Sequence, residues 1–329
     1  DLGLARKVGC ITYTNKAAEN ILSQIGANNH RLEVSTIHAF LYKSIIKPYF
    51  HLIASEEGFA IDKLDGHDEP IITSYGFVSE LMKTNKMGML MSHAKEQYKL
   101  KQTVEDYRWK LTKNGIALQK TINYPRLSGI GDKYVNAYKK KVWAEYGIMH
   151  HDDVLYFTYR LIEKVPRILH LLVSKYPYLL IDEYQDSTSI QHWLFTKMAA
   201  AGCKITLIGD KAQSIYSFAG ADIANIDNFT APNIKLYSIA DNHRSTQNIV
   251  DFLNKLRSDL KQKSLRKECY EKVTIVCGDS ISAYKTASSI CGKEKLYALT
   301  WKNEDANEMK LGLEVNGKNE DLLGHLSEQ

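Results

Sequence analysis

Three acids and a glutamine fall within five residues of the stretch LLIDEYQDSTSIQHW (179–193), directly behind an apolar run. Carboxylates set so close together repel one another, and a bound cation is one physical reason to find them there. Ligands of parallel α/β sheets lie outside the carboxyl ends of the strands. At such an edge Asp182 could hold the magnesium that bridges the terminal phosphates of a nucleoside triphosphate. Glu183 beside it could orient or deprotonate the attacking water. The same residues also read as a solvated acidic turn at a helix start, with Asp186 as the N-cap.

A second cluster bears on that choice. ITLIGDKAQSIYSFAGAD (205–222) begins as a buried strand, reaches Asp210 and carries Gln213 three residues on. A glutamine on such a loop can hydrogen-bond the terminal phosphate or its attacking water. Tyr216 and Phe218 follow at alternate positions, where their rings could face bases. In ADNHRSTQNIV (240–250), Arg244 lies after a strand pattern and before a helix. A guanidinium there can give two parallel hydrogen bonds to a phosphoryl group as charge develops on it.

These side chains need a sheet to position them. VGCIT (8–12), LEVST (32–36), YPYLLIDEY (176–184) and KITLIGD (204–210) carry the short apolar, β-branched runs of buried strands. NIKLYSI (233–239), VTIVCG (273–278) and KLYALTW (295–301) extend the pattern. Between them lie helical stretches: Ala17, Ala18, Ile21, Leu22 and Ile25 recur at helical spacing before Gly26. SIQHWLFTKMAAAG and STQNIVDFLNKL read as further helices, as does NEDANEMKLGLE near the end. Strands alternating with helices predict a parallel sheet covered on both faces. The region from about Lys43 to Lys164, rich in Lys, Tyr and Met, reads as a mostly helical insertion.

With 329 residues the chain has room for two or three domains. A net charge of +5 permits a polyanionic partner without requiring one. The twenty tyrosines suit surfaces that stack bases, although a tyrosine-rich core and rim accounts for most of them. Five scattered cysteines, with no C-x-x-C pair, argue against a zinc site or a disulfide framework and for a reducing, cytoplasmic setting. No apolar run approaches a membrane span, and no signal peptide is recognisable.

The segments YTNKAA, STIHAF, IDEYQD, IGDKAQSIYSFAGA and NHRST, in that order, resemble the motifs of superfamily 1 DNA helicases of the UvrD/Rep/PcrA type. HHDDVLYFTYRLI (150–162) is similar to the segment that closes that family's insertion, and LYALTWKNEDANEM to a part of its second motor domain. The resemblance implies an α/β, RecA-like P-loop NTPase motor with a parallel sheet, a helical insertion and part of a second RecA-like domain. Residues 1–42 and 165–240 would form the first motor domain, 43–164 the insertion, and 241–329 the start of the second. It implies ATP and Mg²⁺, with the metal at Asp182 and Glu183. Asp182 would coordinate the ion and Glu183 activate water, while Gln213 would meet the γ-phosphate and Arg244 act as an arginine finger. Tyr13, Thr14, Asn15 and His38 would meet single-stranded DNA, with Tyr216 and Phe218 stacking on bases. The implied activity is ATP-driven, 3′ to 5′ movement on single-stranded DNA or a junction of single and double strands. Lys99, Lys101, Tyr107, Arg108 and Trp109 of the insertion could approach duplex DNA, although a solvated helical face accounts for most of them.

The sequence departs from the family in three places. The phosphate-cradling G-x-x-x-x-G-K-[ST] loop is not recognisable, since GLEVNGKN (312–319) ends in Asn and follows no buried strand. The family's late motifs are likewise missing. Both omissions fall at the edges of the sequence, and the expectation is that a strand, P-loop and helix precede Asp1 and that the second motor domain continues past Gln329. In SFAGAD, Phe218 stands where Trp is more usual and Ala219 where Arg is common, which weakens the expected grip on DNA. The string DEYQDS also resembles the helicase subunit of Gabija-type antiphage-defence systems. That resemblance carries the alternative of a nucleotide- and DNA-sensing subunit that regulates or scaffolds a partner nuclease. A RecB-like fused helicase–nuclease would need a nuclease beyond Gln329, and a plain P-loop kinase or G protein does not fit the paired motifs.

Overall fold

The computed structural model describes residues 5–25, 30–64, 66–67, 71–72, 74–84, 101, 103–121, 131–217, 220–266, 268–269, 272–293 and 296–300. The chain divides into two compact units, Asp1–Ile234 and Lys235–Gln329.

The first unit is built on four parallel strands: β1 (Val8–Thr12), β2 (Leu32–Thr36), then after a long excursion β5 (Tyr178–Ile181) and β6 (Lys204–Leu207). Their order across the sheet is β2-β1-β5-β6. Val8 pairs with Leu32 on one side and Tyr178 on the other, and Tyr178 in turn with Lys204. Each strand is one of the apolar runs read from the sequence. Helix α1 (Asn15–Ile25) follows β1, and α2 (Ile37–Leu41) follows β2 with Thr36 as its N-cap. That helix continues through a π turn at Tyr42–Ile46, which buries Ile45 and Ile46. Phe40, Leu41, Ile45, Tyr176, Leu179 and Ile181 form the core between this helix and the sheet.

The excursion between β2 and β5 holds helix α3 (Tyr75–Thr84), strands β3 (Tyr107–Thr112) and β4 (Gly115–Lys120), and helices α4 (Asp132–Tyr146), α5 (His151–Lys164) and α6 (Arg167–Lys175). Among its described residues the insertion is mostly helical, as expected, with the antiparallel pair β3–β4 set among the helices. Its turn passes through Asn114 and Gly115, with Gly115 at φ 103°, a conformation that favours glycine and tightens a hairpin.

A buried polar knot ties this hairpin to the helices. Asp153 on α5 accepts the indole N–H groups of Trp109 (2.9 Å) and Trp143 (2.9 Å), the Lys139 ammonium (2.6 Å) and the His150 amide (3.2 Å). Asp152 accepts the Trp109 amide at 2.8 Å. Asp153 is fully buried, and these donors, with Lys139 and His150 adding positive potential, hold its carboxyl below the usual carboxylate range against the opposing effect of burial. Four donors satisfy a charge that would otherwise be prohibitive at that depth.

Helix α7 (Ser189–Ala200) follows β5, capped by Thr188 in a reciprocal box with Gln191, and α8 (Ala224–Asn228) closes the unit. Thr188, rather than Asp186, therefore caps α7.

The second unit carries a two-residue parallel pairing of β7 (Asp241–Asn242) with β8 (Lys263–Ser264), and helices α9 (Gln247–Leu256) and α10 (Ser280–Cys291). The strands expected at 233–239, 273–278 and 295–301 are not formed among the described residues. Leu236 is 92% exposed and Leu299 99%. Apolar periodicity marks a capacity to pair, but a strand needs a neighbour's backbone N–H and C=O groups to complete its ladder, and no described segment supplies them. Residues 301–314, which include the expected helix NEDANEMKLGLE, lie outside the described residues.

Candidate functional site

Asp182 follows β5 directly, and its N–H donates to the Ile11 carbonyl at 2.9 Å. This fixes the first acid at the carboxyl edge of the sheet, as the sequence predicts. Burial, and then the charge of Glu183, push the Asp182 carboxyl up from its ordinary value. A divalent cation would act in the opposite direction and hold both groups ionised. Among the described residues no three His, Cys, Asp or Glu side chains converge on one point. Two adjacent carboxylates suit magnesium, which takes few protein ligands and completes its shell with phosphate and water.

Glu183 adopts the left-handed conformation, φ 53° and ψ 40°, which is uncommon for a residue with a side chain. Such strain is seen where surrounding structure over-determines it, often at functional sites. The tether is Gln185: its amide nitrogen donates to Glu183 Oε2 at 2.5 Å, while its Oε1 accepts the Asp210 N–H at 3.0 Å. Asp210 caps the following turn through Ala212 N–H, and its other oxygen accepts the Gln213 side-chain amide at 2.8 Å. Glu183 and Gln213, far apart in sequence, are thus linked through Gln185 and Asp210. Gly209 makes the approach possible, since a methyl there would lie 2.8 Å from Gln185 Oε1.

Asp186 turns the other way. Burial raises its pKa, while the N–H groups of Tyr216 and Ile215 and the Ser214 hydroxyl act to lower it. The loop after β6 is therefore gripped at two points by the turn after β5. Tyr216 on that loop stacks with Tyr13 after β1, with ring centroids 4.6 Å apart and planes at 33°. Burial and the Asp186 and Tyr216 groups push the Tyr13 hydroxyl up to about 12, with Arg108 opposing them.

The remaining expected residues divide by place. Thr14 and Asn15 are exposed at the start of α1, where Thr14 accepts the Ala17 N–H. His38 lies against His151, centroids 3.5 Å apart, and His151 against His67. Phe218 lies outside the described residues, as does Lys99. Arg244 is exposed in the second unit, its backbone N–H bonded to Asn242 Oδ1 at 3.0 Å.

Two expectations are corrected. Tyr107 and Trp109 are buried in the insertion core, so neither ring is available to duplex DNA. Conversely, the sequence reading gave no role to Gln185 or Asp210. Gln185 lies inside the acidic cluster itself, and polar residues interleaved with catalytic candidates are the signal that could have found it.

With this geometry in view, the kinship is specific. The model of the UvrD/REP helicase N-terminal domain matches residues 4–233. The chain is 28% identical over 281 residues to the ATP-dependent DNA helicase PcrA of Bacillus subtilis, covering 80% of this chain and 35% of that one. It is 28% identical over 286 residues to PcrA of Staphylococcus epidermidis, covering 84% and 36%. Against PcrA of Staphylococcus aureus the figures are 27% over 268 residues, 78% and 34%. The chain spans about a third of the length of these relatives. The parallel sheet of the first unit is the RecA-like motor fold, the insertion and both acidic and glutamine loops fall within the family match, and the chain belongs to the UvrD/Rep helicase family.

Proposed function

We propose that this chain is part of an ATP-dependent DNA helicase or translocase, moving 3′ to 5′ on single-stranded DNA as ATP is hydrolysed. The observation that carries this reading is the linkage of Glu183 through Gln185 and Asp210 to Gln213, with Asp186 joining the same turn to the Tyr216 loop. It connects a carboxylate edge suited to a metal-bound triphosphate with a ring pair suited to bases.

Asp182, with Glu183 beside it, would hold the magnesium of MgATP. Magnesium, when bound, neutralises charge on the terminal phosphates. Glu183 accepts a proton from the attacking water, its position set by the Gln185 amide. Gln213 senses the γ-phosphate, and because it is tied to Asp210, a change at the phosphate shifts the turn that Gln185 and Asp186 hold. Tyr13 and Tyr216 stack on bases, contacts worth about 1–3 kcal/mol each. Arg244 serves as the arginine finger.

The test is Glu183→Gln in the full-length protein. We expect ATP affinity within about threefold of the parent and DNA-stimulated turnover lower by roughly 10²–10⁴-fold, the usual contribution of a general base. Unchanged turnover would remove Glu183 from this role. Brisk ATP turnover without strand displacement on forked DNA would instead favour the sensing subunit of a nuclease assembly.

A further inference from the structure

Strand β3 alternates. Tyr107 and Trp109 point into the core, while Arg108 and Lys110 occupy the opposite face and are half-buried. On the far side of that face stands the loop after β6. A methyl group at Gly220 would lie 3.8 Å from Lys110 Cε and 3.9 Å from Arg108 Cβ. The guanidinium of Arg108 acts electrostatically on Tyr13, on His38 and on Asp152. Among the described residues neither the Arg108 nor the Lys110 side chain makes a hydrogen bond or ion pair. Arg108 thus lies near Tyr13, His38 and the buried Asp152 carboxylate, and Lys110 beside Gly220 of the loop that carries Tyr216.

The strand that carries them is held rigidly. Its backbone is bonded at Trp109 to Asp152 (2.8 Å) and at Leu111 to Ser189 Oγ at the start of α7 (3.0 Å). The Trp109 indole is fixed on Asp153. Thr121, just past β4, returns two hydrogen bonds to the Asp106 carbonyl. A charged pair on such a support is pre-organised for a ligand rather than a solvated fringe. Positive charge set beside aromatic rings is the chemistry that takes a single nucleic-acid strand, whose phosphates and bases lie on opposite edges.

We propose that Arg108 and Lys110 bind backbone phosphates of the single strand whose bases stack on Tyr13 and Tyr216, so that the insertion hairpin forms one wall of the strand's track. This rests on the DNA-binding reading above and deepens it. It assigns Arg108 to the single strand rather than to duplex ahead of the motor.

The experiment measures binding of a fluorescent oligothymidylate to the full-length protein across a salt series. The parent is compared with Arg108→Ala/Lys110→Ala and with Arg108→Lys/Lys110→Arg. Each lost phosphate contact on a single strand flattens the plot of log K against log salt by about 0.7, so the alanine pair should flatten it by about 1.4. The charge-retaining pair should keep the parent slope. An alanine pair with the parent's slope overturns the proposal and leaves the DNA-binding reading intact. A parent that does not bind the oligonucleotide overturns both. Should the alanine pair fail to fold, Arg108→Gln/Lys110→Gln keeps the aliphatic stems and reads the same slope.

Discussion

His38 illustrates how much a single side chain here depends on its surroundings. Burial, then His151, His67 and Arg108, hold its pKa well below the ordinary value of 6.5. The folded chain therefore declines a proton that the unfolded chain accepts. Stability from this residue is full above about pH 6.5 and falls as pH drops through that value, until the folded-state pKa is reached. Unfolding midpoints measured between pH 7.5 and 5.5 should fall with acidification, and His38→Gln should flatten the decline. An unchanged slope would mean that the imidazole cluster takes no part. The sequence made His38 legible as a strand-facing candidate through STIHAF. It could not show the stack on His151 and His67, because contacts between residues so distant in sequence have no local signature.

At the scale of elements, the hairpin β3–β4 and helix α5 stand or fall together at Asp153. Removing its carboxylate leaves the Lys139 ammonium buried without its bonded partner, a loss of about 3–5 kcal/mol by the usual cost of breaking a buried pair. Asp153→Ala should lower the denaturation midpoint markedly, and Asp153→Ala/Lys139→Met should recover part of the loss. Equal destabilisation in both would show that the ion pair is not the source. The hairpin itself is written in the sequence, in Asn114-Gly115 and in the alternation of Tyr107, Trp109 and Leu111. Surrounding residues of high helical preference obscure it. The four sheet strands are plainer, since each is a short run with apolar or β-branched residues bounded by turns, although β5 and β6 place alternate residues at exposed positions. The strands expected in the second unit misled for the opposite reason: their pattern describes a face ready to be covered, and coverage is a property of the neighbours.

For the whole molecule, the proposed cycle gives Arg244 the part of an arginine finger. Arg244 is exposed, and its side chain makes no hydrogen bond or ion pair among the described residues, so Arg244→Ala should fold normally. We expect it to slow ATP hydrolysis in the full-length protein by orders of magnitude, as loss of an arginine finger does, with nucleotide affinity little changed. A variant that fails to fold would assign Arg244 to structure instead.

The backbone at Glu183 carries a last consequence. An L-residue forced into φ 53° and ψ 40° loses roughly 1–2 kcal/mol relative to its relaxed state, and here it also sits beside a like charge on Asp182. Asparagine tolerates that backbone better and brings no charge. Glu183→Asn should therefore outlast the parent on heating while its DNA-stimulated turnover falls by the same roughly 10²–10⁴-fold. Endurance and work would pull against each other at this one position, and the warmest-melting variant of the protein would be an idle one.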